Sequence, residues 1–151
     1  MKTSWLVTCD FSEHSNNVVE SSARELVLHD GRMVLLHVYR VPPAPTMFSL
    51  VGEDRTYISA NELGETLLEN VTENLESMKK RLLEQFPSLN IEILIREGDA
   101  VDEILQAAKE KKVSQIVVGT HSRKGVERLF LGSVSERVVR MSPISVWVVK
   151  A

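Results

Sequence analysis

"QIVVGTHSRKGVERLFLGSVSERVVRMSPISVWVVK", residues 115–150, decides how this chain folds. It opens on an apolar run of strand length that stops at Gly119. A polar loop follows, and a helical period starts at Gly132-Ser133. A second apolar run, "ISVWVVK" (144–150), comes after Ser142-Pro143. Runs that are apolar at consecutive positions, rather than at every second one, mark strands buried on both faces, as in a parallel sheet. Strand, helix and strand in that order form one parallel crossover unit.

Working outward, the same unit recurs. "SWLVTCD" (4–10) and "MVLLHVY" (33–39) are similar runs. "NIEILIR" (90–96) alternates, with Ile91, Ile93 and Ile95 on one side and Glu92 and Arg96 on the other. Four helical periods separate the runs. Ser12 caps the first, which reaches about His29 and stops at Asp30-Gly31. Ser59 and Glu62 stand at capping-box spacing before the second, where Leu63, Leu67, Val71, Leu75, Met78, Leu82 and Phe86 recur until Pro87. Asp99 caps the third, whose apolar stripe is Val101, Ile104, Leu105 and Ala108. Ser133 and Glu136 have capping-box spacing at the fourth, which runs to about Met141. The order βαβαβαβαβ predicts an α/β fold, an open parallel five-stranded sheet with helices on both faces, as one domain over 1–151. "VPPAPTMFSLVGEDRTYIS" (41–59) reads as an irregular connection, a functional loop, a lid or a mobile segment.

Composition narrows the function. A 43% hydrophobic and 26% charged chain is that of a water-soluble domain. A net charge of −3 offers no general attraction to nucleic acid or to an anionic membrane. No apolar run is long enough to span a bilayer, and "MKTSWLVTCD" lacks the long apolar stretch of a secretory leader. The single cysteine, Cys9, forms no internal disulfide and suits a reducing compartment. Cytoplasmic residence is the expectation. His29, His37 and the other histidines lack metal-ligand spacing. Asp10, His14, His121 and Ser122 carry the residue types of a hydrolytic triad, but no nucleophile elbow accompanies them, and His14 reads as the start of a helix.

Open parallel sheets bind ligands beyond the carboxyl ends of their strands, where strand order reverses. In the flavodoxin-like order 3-2-1-4-5 that point lies between the first and fourth strands, and Asp10 then faces the Gly119 loop. Gly132-Ser133 supplies backbone N–H groups at a helix start, a natural anion site. Over 121–140, five basic residues (Arg123, Lys124, Arg128, Arg137, Arg140) stand against Glu127 and Glu136. Two readings stand at this point. The glycines either cradle a phosphate or punctuate a turn before a helix already capped by Ser133 and Glu136.

Beyond these patterns, "WLVTCDFSEHS", "LLHVY" and "VVGTHSRKGVERLFLGSVSERVVRMSPISVWVVK" together resemble the universal stress proteins, in the right order and spacing along the whole chain. The resemblance implies a flavodoxin-like, Rossmann-like sheet of order 3-2-1-4-5, a homodimer and, in one branch, binding of ATP or another adenine nucleotide (ADP or AMP), with or without Mg²⁺. That branch carries a loop of Gly, two residues, Gly, nine residues, Gly and then Ser or Thr. Here Gly119, Gly132 and Ser133 keep the spacing, and Ser122 replaces the middle glycine. Carried over by position, Asp10 holds the ribose or the adenine edge with Thr8 and Cys9 beside it, and Val38 meets adenine. Val118 and Gly119 line the ribose side, and His121 and Ser122 approach the phosphates. Gly132, Ser133, Val134 and Ser135 supply amides and hydroxyls to the phosphates. If the loop needs a positive φ at Ser122, serine costs about 1 kcal/mol, which weakens binding several-fold without abolishing it.

The expected function is therefore a regulatory adenine-nucleotide-binding protein of the stress response, with no catalytic residues and at most slow ATP hydrolysis. The alternative is a family member that binds no nucleotide and acts as a dimeric interaction module. "ISVWVV" carries no charge before Lys150, and an uncharged edge strand needs a cover, so strand 144–150 is the expected dimer interface.

Overall fold

The computed structural model of the chain describes residues 3–42, 48–51, 54–57, 60–120 and 131–150. Along the chain run β1 (Ser4–Thr8), α1 (Glu13–Leu28), β2 (Arg32–Tyr39), β3 (Phe48–Val51), β4 (Asp54–Tyr57) and α2 (Ala60–Gln85). They are followed by β5 (Asn90–Glu97), α3 (Ala100–Glu110), β6 (Gln115–Gly119), α4 (Ser133–Met141) and β7 (Ser145–Val149). Five strands form one sheet in the order β5-β2-β1-β6-β7, and every pair in it is parallel. In chain order this is the expected 3-2-1-4-5.

The continuous apolar runs have the predicted cause. Leu6 of β1 sits between Val34 of β2 and Ile116 of β6, so the central strand has neighbours on both edges as well as helices on both faces. Alternate residues serve opposite faces. Trp5, Val7 and Cys9 join Val18, Val19 and Leu26 of α1 and Val71, Leu75, Met78 and Leu82 of α2 in one core cluster. Leu6, Val34, Ile116 and Val118 join Val101, Ile104 and Ala107 of α3 and Val138 of α4 in the other. Each fully buried Leu or Val contributes about 1.5–3 kcal/mol relative to exposure. Trp5 and Trp147 meet edge to face at 5.6 Å, which makes them packing residues.

The segment 41–59 departs from expectation. Phe48 pairs with Tyr57 and Val51 with Asp54 in an antiparallel hairpin that stands apart from the main sheet. Strands of four residues are too short to impose a period on the sequence. Ser59, the expected cap of α2, lies outside the described residues.

Two helices end on residues whose backbone is left-handed. After α1, the Gly31 N–H donates to Leu26 O and the Asp30 N–H to Val27 O, while Asp30 takes φ 49°. After α3, the Val113 N–H donates to Ala108 O and the Lys112 N–H to Lys109 O, with Lys112 at φ 50°. Both are Schellman closures. The strained position of the first is Asp30 rather than Gly31. Gly31 serves packing, because a Cβ there would lie 2.5 Å from Leu26 Cδ2 and the buried Leu26 side chain would have to shift.

Asp99 caps α3 by accepting from the Val101 N–H (3.1 Å) and the Asp102 N–H (3.4 Å). It also pairs with Arg40 at 3.2 Å and Arg137 at 4.0 Å. The Asp102 amide is the largest influence holding its carboxyl below the usual range; partial burial opposes it, and the Val101 amide, Arg137 and Arg40 reinforce it.

Two tests follow from these helix ends. Lys112→Gly should stabilise the fold by about 0.5–1 kcal/mol, less relief than the full left-handed penalty because glycine also loosens the unfolded chain. Thermal denaturation should then rise by about 1–4 °C. A depressed folded-state pKa contributes stability above the ordinary carboxylate range and loses it as pH falls through the folded value. The stability gap between wild type and Asp99→Asn, measured by urea unfolding, should therefore close progressively below about pH 4.

Candidate functional site

β1 and β6 lie side by side, but their chains leave in opposite directions. After β1 the chain enters α1 on one face, and after β6 it reaches α4 on the other. A cavity of about 160 Å³ opens between the two strand ends. It is smaller than the roughly 300–1,000 Å³ of sites that enclose a drug-sized molecule, so it can take one flat end of a larger ligand.

Nine residues singled out from the sequence line this cavity. Thr8, Cys9 and Asp10 come from the end of β1, Val38 from β2, and Val118 and Gly119 from β6. Gly132, Val134 and Ser135 come from the start of α4. Ser133 is exposed and does not line it. His121 and Ser122 lie outside the described residues. The lining also includes Leu36, His14, Ser15, Ala100 and Ile104, which were not foreseen. Leu36 was recoverable, since it stands two residues before Val38 and so shares its face. His14 and Ser15 were recoverable too, because α1 starts three residues beyond Asp10.

The floor is a hydrogen-bonded turn. Asp10 Oδ1 accepts from the Ser12 N–H at 2.9 Å and from Ser12 Oγ at 2.5 Å. Ser12 Oγ in turn accepts the Ser15 N–H at 3.1 Å, capping α1 as expected. Ser15 Oγ accepts the Asp10 N–H at 3.3 Å and lies 3.3 Å from Cys9 Sγ. Cys9 is buried at 4% exposure, with its thiol 3.8 Å from Met78 Sδ. Between Asp10 and Ser12, Phe11 takes φ 62°, a conformation that costs a bulky residue about 1–3 kcal/mol. Its ring lies 4.5 Å from the buried His37 ring. His37 Nδ1 donates to Cys9 O at 2.7 Å, and because a carbonyl only accepts, this contact places the proton on Nδ1.

The opposite wall is stapled to β6. Thr8 Oγ1 donates to Val117 O at 3.1 Å, the Gly132 N–H to Thr120 O at 2.8 Å, and Ser135 Oγ to Gly119 O at 2.5 Å. The Ser135 hydroxyl proton is thereby committed, and the group that serine offers a ligand is its backbone amide. Gly119 owes its identity partly to packing, since a Cβ there would lie 3.1 Å from Val18 Cγ2.

The capping box expected at Ser133 and Glu136 is not formed. Gly132 is the N-cap, with φ −59° and ψ 150°, and among the described residues no side chain caps the helix. Ser133 is already the first helical residue, one place too late to cap. Glu136 Oε1 instead accepts from Arg140 Nη2 at 2.5 Å, one turn on. Helices α1 and α3 start with capped turns and α4 does not. The first-turn amides of α4 have no intrahelical acceptors, and they lie at the positive end of the helix dipole.

The walls thus combine apolar surface (Leu36, Val38, Ile104, Val118, Val134), one carboxylate and an uncapped helix start. Such a set fits a ligand with a flat apolar ring, hydroxyls and an anionic group. Among the described residues, no group of three or more His, Cys, Asp or Glu could hold a metal ion, and no helix is long and apolar enough to cross a membrane.

Comparison with known proteins agrees with this architecture. The chain is 31% identical over 148 residues to universal stress protein YxiE of Bacillus subtilis, covering 96% of this chain and 97% of that one. The solved structure of the Methanocaldococcus jannaschii universal stress protein MJ0577 is similar with a TM-score of 0.79 at 26% identity, covering 100% of this chain and 97% of that one. A universal stress protein solved in complex with cAMP shares the fold at 21% identity and TM-score 0.67, covering 97% and 95% of the two chains. The model of the Universal stress protein family matches residues 3–150, and with a sheet of the same order beneath that match the chain belongs to the universal stress protein family.

Proposed function

We propose that this chain is a regulatory protein that binds an adenine nucleotide in the cavity between β1 and β6. The observation that carries the reading is the pairing of an uncapped α4 with a neighbouring wall that is apolar on one side and carries Asp10 on the other. The base lies between Val38, Ile104 and Val118, the ribose hydroxyls donate to the Asp10 carboxylate, and the phosphates meet the amides of Ser133, Val134 and Ser135. Asp10 Oδ1 already holds Ser12, so the ribose bonds fall to its remaining lone pairs. The cAMP complex of a protein with this fold supports the ligand class. Occupancy changes the surface offered to partners at this end of the sheet. His121 and Ser122 approach the phosphates from outside the described residues, and Ser122 weakens the phosphate end relative to glycine.

The same protein is proposed to be a homodimer through β7. β7 is an edge strand of apolar composition, with Val146, Trp147 and Val148 half-buried. The adjoining α4 exposes Val139 (44%) and Met141 (51%). The interaction-module reading rests on this surface alone.

Two measurements check these assignments. At a hundredfold excess over Kd, ATP or AMP should stabilise the protein by about 2.7 kcal/mol, read as a thermal shift. The shift should vanish in Asp10→Ala and shrink in Gly132→Val; no shift with any adenine nucleotide would leave the interaction module. Light scattering should report a dimer that becomes monomeric in Val139→Lys/Met141→Lys. Val146 and Val148 also pack against the α3–α4 core, so lysine there would test folding as well as association.

A further inference from the structure

Phe11 stands where glycine would fit without steric cost. Its φ of 62° lies in the left-handed region, which penalises a bulky side chain and which glycine adopts freely. Contacts of the ring must offset that strain. The ring lies 4.5 Å from the ring of His37, tilted by 31°, and packs on the core cluster shared by α1 and α2. His37 is buried at 7% exposure and also donates from Nδ1 to Cys9 O at 2.7 Å. One imidazole of β2 therefore grips the residue before Asp10 through a hydrogen bond and the residue after it through a ring contact. Neither His37 nor Phe11 lines the cavity, whereas Cys9 and Asp10 do.

We infer that His37 and Phe11 are positioning residues, a clamp that fixes the direction of the Asp10 carboxylate for ribose hydroxyls without touching the ligand. The inference rests on the adenine-nucleotide reading of the site. The left-handed step at Phe11 turns the chain back, so that the Ser12 N–H and hydroxyl meet Asp10 Oδ1 at 2.9 and 2.5 Å. The Asp10 N–H donates to Ser15 Oγ at 3.3 Å. These bonds tie Asp10 to the start of α1, and the two His37 contacts tie the same turn to β2. Asp10 is thus held from the helix and from the sheet at once. A ligand that meets a carboxylate already fixed in its binding direction avoids the entropy of ordering it. The ring is what a glycine at this position would lack: glycine permits the turn, and Phe11 both permits and anchors it.

The test compares adenosine with 2′,3′-dideoxyadenosine, which share a base and differ in the ribose hydroxyls. Dissociation constants for both are measured by calorimetry, and the quantity read is their ratio. A fall in the folded fraction weakens both apparent affinities by the same factor and leaves the ratio unchanged, so the ratio separates positioning from stability. Wild type should bind adenosine about ten- to a hundredfold more tightly, as expected for hydrogen bonds to a charged group. Phe11→Gly and Phe11→Asn both accept left-handed backbone and lack the ring, and each should cut that ratio by about two- to tenfold. Phe11→Tyr keeps the ring and should keep the ratio. An unchanged ratio in either ringless variant, or a ratio cut as deeply in Phe11→Tyr, overturns the clamp and leaves the adenine site standing. Loss of the cooperative thermal transition in both ringless variants also overturns it, since the ring then serves the fold. Equal binding of the two probes by wild type overturns the ribose role of Asp10 and the clamp with it. Failure of both probes to bind wild type overturns the adenine reading itself.

Discussion

The pairing of β1 with β6 is the interaction on which the rest of the molecule depends. Three backbone registers, Trp5 with Gln115, Leu6 with Ile116 and Val7 with Val117, join two strands that are more than a hundred residues apart in the chain. Their successors pack on opposite faces, α1 against Val7 and Val117, α4 against Leu6 and Ile116. Among the described residues, no connection crosses the gap between the two strand ends. The crevice follows from topology, whatever side chains later line it.

What the side chains add is an imbalance in how helix starts are satisfied. Of the helices that begin at this end of the sheet, three reach the cavity at their N-terminal residues, His14, Ala100 and Gly132. Ser12 and Asp99 meet the amide donors of the first two, whereas the third has only Gly132. A fold normally pairs such donors locally. Among the described residues no side chain takes up the donors of α4, whose start is stapled to β6 through Ser135 and Gly132. The strained Phe11 backbone on the other wall is held by the Asp10–Ser12 bonds and the His37 ring, so the two walls are fixed by independent means.

Much of this was legible in the residues and some was not, for physical reasons. Burial on both faces writes itself into the composition of β1 and β6, and the end of each strand then names Asp10 and Gly119 without further information. The Ser133–Glu136 spacing misled because the pattern is the same whether serine stands before the helix or inside it. Its place was settled by the Gly132 N–H reaching Thr120 O, a contact across twelve residues that local pattern does not encode. The pair Asp30-Gly31 marked the end of the first helix, but which of the two turns left-handed is not written in it: Asp30 takes that conformation, and a Cβ on Gly31 would crowd Leu26. His14 was read as the start of a helix, which it is. Its place in the cavity lining follows from how few residues separate α1 from Asp10.

The two margins of the sheet are unequal. On β5, Glu92 is held by Lys111 and Arg32 and Arg96 by Glu110, so the outer strand on that side carries a belt of ion pairs. On β7 no residue from Ser145 to Val149 is charged. A molecule with two adhesive margins could stack without end into a fibre. With one margin apolar and the other sheathed in charge, the proposed joining of β7 to β7 would use up the apolar margin of both copies and leave charged strands outermost. Growth by edge pairing would then end at two, a safeguard against runaway aggregation built from the identity of a few side chains on a single strand.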